Sequence, residues 1–482
     1  SHTAGRPGYV VGGFFMNRKL VVLVDIGSTF TKVTAVDTGL RSIVAQSSAP
    51  TTIEDVSQGL KSALLGLQLD SEELRQARKL ACSSAAGGLR MVAIGLVQDL
   101  TAKAAKLAAL GAGARVLNTY SFQLTEADRE EIIELEPDII LLAGGTDGGN
   151  SENILHNARV LATLPQPVPV VIAGNRSAAK EVAACFPQEF STYIAPNVMP
   201  QIGKLQVDPA REVIRQVFME KIIYAKGLDK ASRLIDGIFM PTPAAVLRAG
   251  QLLSEGTATR KGWGDLLIVD VGGATTDVHS LGAGLPTRAG VVVRGLPEPY
   301  AKRTVEGDLG VRVSVLSLLE AVGADAVAQE TGWPKEEVES RAALLHDNPE
   351  TLPENEAEAL FDRALGRLAV THAVSRHVGR LSELYTPAGL IWVQEGKDLS
   401  KVETVIGTGG VLVKSADPLA VLEGAAQQAD ALLELRPEKP EFYLDGSYIL
   451  AAMGLLAQEE PEAAFDILTN SLDSYKLARR EQ

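Results

Sequence analysis

Leu20-Val21-Val22-Leu23-Val24-Asp25-Ile26-Gly27-Ser28-Thr29-Phe30-Thr31-Lys32-Val33 is the stretch from which the fold can be read. The apolar, β-branched run suits a buried strand. It ends in Asp25, turns through Gly27, Ser28 and Thr29, and resumes strand-like alternation to Val36. Glycine has no Cβ and tolerates positive φ, so such a turn can approach a ligand closely. Its N–H groups and hydroxyls can bind phosphate oxygens. A carboxylate at the strand end can hold a hydrated Mg2+. One copy could equally be an ordinary hairpin. The device returns, however, at Leu266-Leu267-Ile268-Val269-Asp270-Val271-Gly272-Gly273-Ala274-Thr275-Thr276-Asp277-Val278. Two copies point to two similar half-domains facing one nucleotide.

The bulk properties narrow the class. The chain has 482 residues, enough for two or more domains, with 46% apolar and 22% charged residues. A net charge of −14 argues against nonspecific nucleic-acid binding. No apolar run is long enough to span a bilayer, and no secretory signal is visible, so a cytoplasmic setting is expected. Cys82 and Cys185 can pair in principle, but a reduced setting explains them as well. No Cys/His cluster has zinc or iron–sulfur spacing. His372 and His377 read as packing or solvent-facing residues. Ser1–Gly8 reads as a cloning scar and Met16 as the natural start, so residues 1–15 are set aside as a leader.

Taken in order, the chain predicts a first domain beginning at 16–90, with the hairpin and a third strand near Arg41–Ser47. Residues 91–225 form an inserted α/β unit. Its expected strands are Val92–Val97, Arg115–Thr119, Asp138–Leu142, Val168–Ala173 and Thr192–Ala195, alternating with helices. Such alternation predicts a doubly wound parallel sheet, whose ligands lie beyond the strand carboxyl ends. Gly144-Gly145-Thr146-Asp147-Gly148-Gly149-Asn150 there is either an anion or partner site or a flexible connection. A connecting segment, 226–262, carries a helix at Ala244–Leu253. A second domain, 263–440, holds a helical insert. Within it, Glu356–Leu384 reads as one long helical run, Leu390–Gln394 as a strand, and Val402–Ile406 as a strand leading into Gly407-Thr408-Gly409-Gly410. Residues 441–482 are closing helices returning to the first domain. Glu306 and Asp308 could reach ribose or metal, or form a solvated loop with Lys302, Arg303 and Arg312.

The two hairpins resemble the phosphate 1 and phosphate 2 motifs of the actin, Hsp70 and sugar-kinase ATPase superfamily. Pro241-Thr242-Pro243-Ala244-Ala245-Val246 resembles its first connecting helix, Val405-Ile406-Gly407-Thr408-Gly409-Gly410-Val411 its adenosine motif, and Asp445-Gly446-Ser447-Tyr448 through Gly454 its closing helix. The resemblance implies an actin-like ATPase fold of two similar RNase H-like domains with an inserted doubly wound subdomain. It implies ATP and Mg2+. Asp25, Asp270 and Asp277 would arrange the metal and its waters, Asp25 and Asp270 being the catalytic candidates. Gly27, Ser28, Thr29, Gly272, Gly273, Ala274 and Thr275 would cradle phosphates. Lys32 would neutralise phosphate charge unless strand alternation points it away. Gly407, Thr408, Gly409 and Gly410 would line the adenosine site. Met240 stands where Hsp70-like proteins carry a catalytic carboxylate.

Asp25–Lys32, Leu142–Asn150, Pro297-Glu298-Pro299-Tyr300-Ala301-Lys302-Arg303-Thr304 through Gly310, and Tyr448–Gly454 together look like the glutamate mutase accessory family, often called MutL or GlmL. That resemblance implies a weak ATPase acting as a reactivating chaperone for an adenosylcobalamin-dependent mutase of the glutamate mutase type. Two other classes stay open. One is a small-molecule kinase or an ATP-dependent hydantoinase or oxoprolinase-type enzyme. The other is a nucleotide-gated scaffold without hydrolysis. The oligomeric state is not readable.

Overall fold

The computed structural model describes residues 18–478 apart from 53, 86 and 238. The expected leader and the Met16 start lie outside the described residues. Strands β1 (Leu20–Ile26), β2 (Phe30–Asp37) and β3 (Ser42–Pro50) form an antiparallel meander. After two helices, β4 (Arg78–Ser83) lies parallel to β1.

The chain then builds a separate sheet from β5 (Leu89–Gly95), β6 (Ala114–Ser121), β7 (Ile139–Leu142), β8 (Val170–Ile172) and β9 (Thr192–Ile194). Its order is β6-β5-β7-β8-β9 with every pairing parallel, a doubly wound pattern. β5 opens at Leu89 and stops at Gly95, earlier than the expected Val92–Val97. Gly87 and Gly88, both at positive φ, deliver the chain to Leu89. At the other end the Thr101 hydroxyl, in the π-helix Gln98–Ala102, accepts from the N–H groups of Leu96 and Val97 and bends the chain away from the strand.

β10 (Phe239–Pro241) then returns to pair with β4 and completes the first sheet as β10-β4-β1-β2-β3. The helix Thr242–Glu255 leads into the second half. There the strands are β11 (Leu266–Val271), β12 (Thr276–Leu281), β13 (Val291–Arg294), β14 (Ala301–Glu306), β15 (Arg380–Thr386), β16 (Gly389–Glu395), β17 (Thr404–Thr408), β18 (Glu441–Leu444) and β19 (Lys476–Leu477). The large sheet runs β14-β12-β11-β17-β18-β19. Numbered by strand order within the sheet, the first reads 3-2-1-4-5, and the second reads the same with β19 added at its edge. In both, strands 3-2-1 are antiparallel and strands 1-4-5 parallel. This RNase H-like order, present twice about a cleft, is the actin-like fold.

Side-chain alternation lets each central strand serve two cores. Val22, Val24 and Ile26 of β1 face a core shared with the inserted unit, while Val21 and Leu23 face a second core. Leu266 and Ile268 of β11 reach that same second core, and Leu267, Val269 and Val271 face a third. The helices Thr242–Glu255, Leu450–Leu456 and Pro461–Ser474 fill the space between the sheets. Gly454 makes this possible, since a Cβ there would lie 1.8 Å from the Ala245 carbonyl oxygen.

One expected helix is shorter than its apolar pattern. The run from Glu356 ends at His377. Gly379 is pressed against the Glu395 and Lys397 carbonyls, where a Cβ would approach to 2.7 Å. Beyond it, Arg380–Thr386 pairs antiparallel with Gly389–Glu395, and β13 joins them in a small three-stranded sheet. Among the described residues, no helix is long and apolar enough to cross a membrane. Cys82 and Cys185 are free thiols.

Candidate functional site

The two hairpins fold alike in detail. The Gly27 N–H donates to the Phe30 carbonyl at 3.0 Å, and the Gly272 N–H to the Thr275 carbonyl at 2.9 Å. Asp25 stands opposite Lys32 in the first ladder, and Asp270 opposite Asp277 in the second. Each strand-end carboxylate therefore has a charged partner across its hairpin, cationic in one half and anionic in the other. The fourth strands supply Cys82 beside Asp25 and Thr408 beside Asp270. The fifth strands deliver Thr242 and Asp445. Thr242 Oγ1 donates to Asp25 Oδ1 at 2.8 Å. Thr408 Oγ1 donates to Asp445 Oδ2 at 3.1 Å.

These strand ends border a cavity of about 790 Å3 between the halves. Asp25, Thr29, Lys32, Thr242, Asp270, Thr408, Gly409, Gly410, Asp445 and Tyr448 all line it. An adjoining cavity of about 530 Å3 is lined by Ser28, Gly272, Gly273, Ala274 and Arg312, and shares Thr29, Gly410 and Lys414 with the first. Volumes of this order suit a nucleotide-sized ligand. Lys32 points into the larger cavity, with Nζ 4.1 Å from the centre of the Tyr448 ring. Its ammonium is thus held by a strand of one half against an aromatic ring of the other.

Three carboxylates face this one lysine. Burial raises the pKa of Asp25, against the Thr242 hydrogen bond and the Lys32 charge. Asp270 is pushed up to about 7, by burial first and then by the Asp277 charge opposite. Asp445 is raised by burial, although the N–H groups of Ile449 and Leu450 and the Thr408 hydroxyl bond to it. An acidic floor short of counter-charge suits a hydrated cation. The glycines leave room above it. A Cβ on Gly410 would meet nothing within 4 Å, and Gly409, at φ +101°, carries the backbone over Val271 and Asp270. The residues present therefore fit a nucleotide with its metal, held through water. Among the described residues, no three His, Cys, Asp or Glu side chains gather closely enough to hold an ion by themselves.

Not every expected residue lines the space. Gly27 and Thr275 close the turns behind it. Gly407 lies in the core against Leu412 and Leu422, so its expected place beside the adenosine is corrected. Asp277 is already engaged. Arg303 donates to its Oδ2 at 2.8 and 3.1 Å, and Thr275 Oγ1 to its Oδ1 at 3.2 Å. Met240 is fully buried beside Cys82 and presents no polar group. Glu306 and Asp308 are paired with Arg376 at 2.7 Å rather than with Lys302, Arg303 or Arg312. His377 is buried between Ser280 and Thr304. The Gly144–Asn150 loop is pinned by the buried amides of Asn175 and Asn197. Thr242, Lys414, Asp445 and Tyr448 were not assigned from sequence. The available signal was positional, because Thr242 and Asp445 each follow the fifth strand of a half.

Comparison with known proteins agrees with the geometry. The family model described as "MutL protein" matches residues 21–472. "Protein MutL" of Clostridium tetanomorphum is 51% identical over 456 residues, covering 94% of this chain and 98% of that protein. Among solved structures, an acetone carboxylase in a nucleotide-free state overlaps with a TM-score of 0.40 at 12% identity, covering 91% of this chain and 70% of that one. A glycerol dehydratase reactivase overlaps with a TM-score of 0.34 at 12% identity, covering 91% and 99%. Overlaps this slight add nothing to the topology. The family match spans nearly the whole chain, both hairpins included, and the chain belongs to the MutL protein family.

Proposed function

We propose that this protein is an ATP-dependent reactivating chaperone for an adenosylcobalamin-dependent mutase of the glutamate mutase type. The observation that carries the nucleotide half of this proposal is the pair of matching hairpins, with Asp25 and Asp270 facing one cleft from two matching sheets. Membership of the MutL family supports the mutase half.

Ser28, Thr29, Gly272, Gly273 and Ala274 would hold the phosphates through N–H groups and hydroxyls. Asp25 and Asp270 would hold Mg2+ through its waters, and the metal would offset phosphate charge. Lys32 would leave the Tyr448 face for a phosphate oxygen, exchanging a cation–π contact for a charge-assisted bond. Gly409, Gly410 and Thr408 would flank the nucleoside. Contacts made from both halves favour a closed cleft, and closure is a hinge transition. Work on the mutase then comes from the difference in its affinity for the two cleft states. The inserted α/β unit is our candidate for the mutase contact. With apolar Met240 at the place of the catalytic carboxylate, hydrolysis by the chain alone is expected to be slow. The same buried methionine favours the second reading, a nucleotide-gated scaffold.

The test of the site is titration of Mg-ATP into Asp25→Asn and Asp270→Asn. Binding at least tenfold weaker in both, with the unfolding midpoint retained, is expected. Unchanged binding in both would remove the assignment.

A further inference from the structure

The Pro297–Arg312 stretch is prominent in the sequence, yet the nucleotide cavities use little of it beyond Arg312. Its Arg303, on β14, is buried, with 4% of its side chain exposed. One edge of the guanidinium grips Asp277, through Nε at 3.1 Å and Nη2 at 2.8 Å. The opposite nitrogen, Nη1, donates to the Leu110 carbonyl at 3.0 Å and the Ala114 carbonyl at 2.8 Å. Asp277 is the residue opposite Asp270 in the second phosphate hairpin. Leu110 and Ala114 belong to the inserted α/β unit. Leu110 lies in the last turn of its helix Lys103–Gly111, and Ala114 is the first residue of β6. A single planar cation thus joins the second phosphate hairpin of one domain to the helix end of another.

The receiving end is tightly fitted. Gly113, at φ +88°, lies where a Cβ would come 2.8 Å from Pro241 Cβ and 3.0 Å from the Ala244 nitrogen. The turn after the helix is therefore wedged against the first turn of the helix Thr242–Glu255. Helix-end carbonyls carry partial negative charge and attract a cation. Among the described residues, two other polar side-chain contacts cross the same seam. Arg211 Nη2 donates to the Ala301 carbonyl at 2.7 Å, and Lys103 Nζ lies 3.8 Å from Glu298. Neither of these reaches a residue of the phosphate hairpins, whereas Arg303 does.

We propose that Arg303 is a positioning residue that couples the second phosphate hairpin, through Asp277 opposite the cavity-lining Asp270, to the seating of the inserted unit on the second domain. The inference rests on the nucleotide reading above. The side chain of Arg303 is divided between a carboxylate and two carbonyls. Asp277 pairs across the hairpin with Asp270, which lines the cavity, so ligand binding that shifts this strand end would shift the anchor of the guanidinium and slacken its hold on Leu110 and Ala114. By linkage the effect runs both ways, so displacing the helix end must change nucleotide affinity by the same factor. A lysine at this place keeps one positive charge but cannot bond a carboxylate with one edge and two carbonyls with the other.

The experiment is amide hydrogen exchange across residues 108–116 of the full chain, with and without a non-hydrolysable Mg-ATP analogue, alongside calorimetric titration of the same analogue. In the wild-type protein, exchange at Ala112 and Gly113 should quicken several-fold on binding. In Arg303→Lys the analogue should still bind, while that difference shrinks to less than half. Lys103→Ala, which touches the seam but not Asp277, should keep the full difference. A purely structural role for Arg303 would alter exchange equally with and without nucleotide. Bound analogue with no change at 108–116 in the wild-type protein overturns the coupling, and so does a full response in Arg303→Lys. Absence of any binding to the wild-type protein overturns the nucleotide reading itself. The wild-type comparison stands whether or not the lysine variant folds.

Discussion

Lys397 is buried, with Nζ donating to the Tyr300 carbonyl at 2.8 Å and to Ser280 Oγ at 3.2 Å. Burial, then the nearby Lys302 ammonium, pulls its pKa down to about 7, while Glu298 and Asp265 offset part of the fall. Arg211 also faces it, and His377 shares the Ser280 hydroxyl. Between about pH 7 and the ordinary lysine value, the unfolded chain binds this proton and the folded chain does not. Stability from this residue therefore rises with pH across that window and is lost as pH falls through it. The expected outcome is a urea midpoint that climbs from pH 7 to 10 in the wild-type protein and climbs less in Lys397→Met. Equal slopes would contradict the burial of this amine. Asp25, Asp270 and Lys32 were legible in the sequence because each sits at a fixed offset from a glycine turn. Asp445 and Thr242 were not, because a lone Asp or Thr after a strand is ordinary until the second sheet shows which strand it ends. Asp277 was legible as a hairpin residue, but its partner Arg303 lies on another strand, and only the fold brings them together.

At the scale of elements, the helix pair Thr242–Glu255 and Leu450–Leu456 fixes how the two halves stack, and Gly454 sets their distance. Gly454→Ala would drive a methyl group into the Ala245 carbonyl. It should cost about 1–3 kcal/mol, the range for overpacking a tight core, read as a lower urea midpoint with an unchanged slope. A midpoint within error of wild type would show that the helices can part without strain. Most strands and helices of the inserted unit could be read from periodicity, since its buried parallel strands are short apolar runs between turn residues. The β15–β16 hairpin was read as helix in its first half. Leu381, Leu384 and Tyr385 continue an apolar pattern that fits either period. The informative residues were Gly379 before it and Pro387 with Gly389 after it, which stop a helix and turn a hairpin.

At the scale of the whole molecule, the two sheets share one strand order and one turn geometry, and the cleft lies where their strand ends converge. This duplication was visible in two short stretches because strand, carboxylate and glycine turn are local features. The seam between the inserted unit and the second domain was not, because it is made by side chains far apart in sequence, such as Arg303 with Leu110. The measurement that bears most directly on the proposed function is Mg-ATP hydrolysis by the purified protein, alone and with a glutamate mutase inactivated by damaged cobalamin. Slow turnover that rises when the inactivated mutase is added is the result predicted for a reactivating chaperone. Steady turnover indifferent to the mutase, or none under either condition, would contradict it.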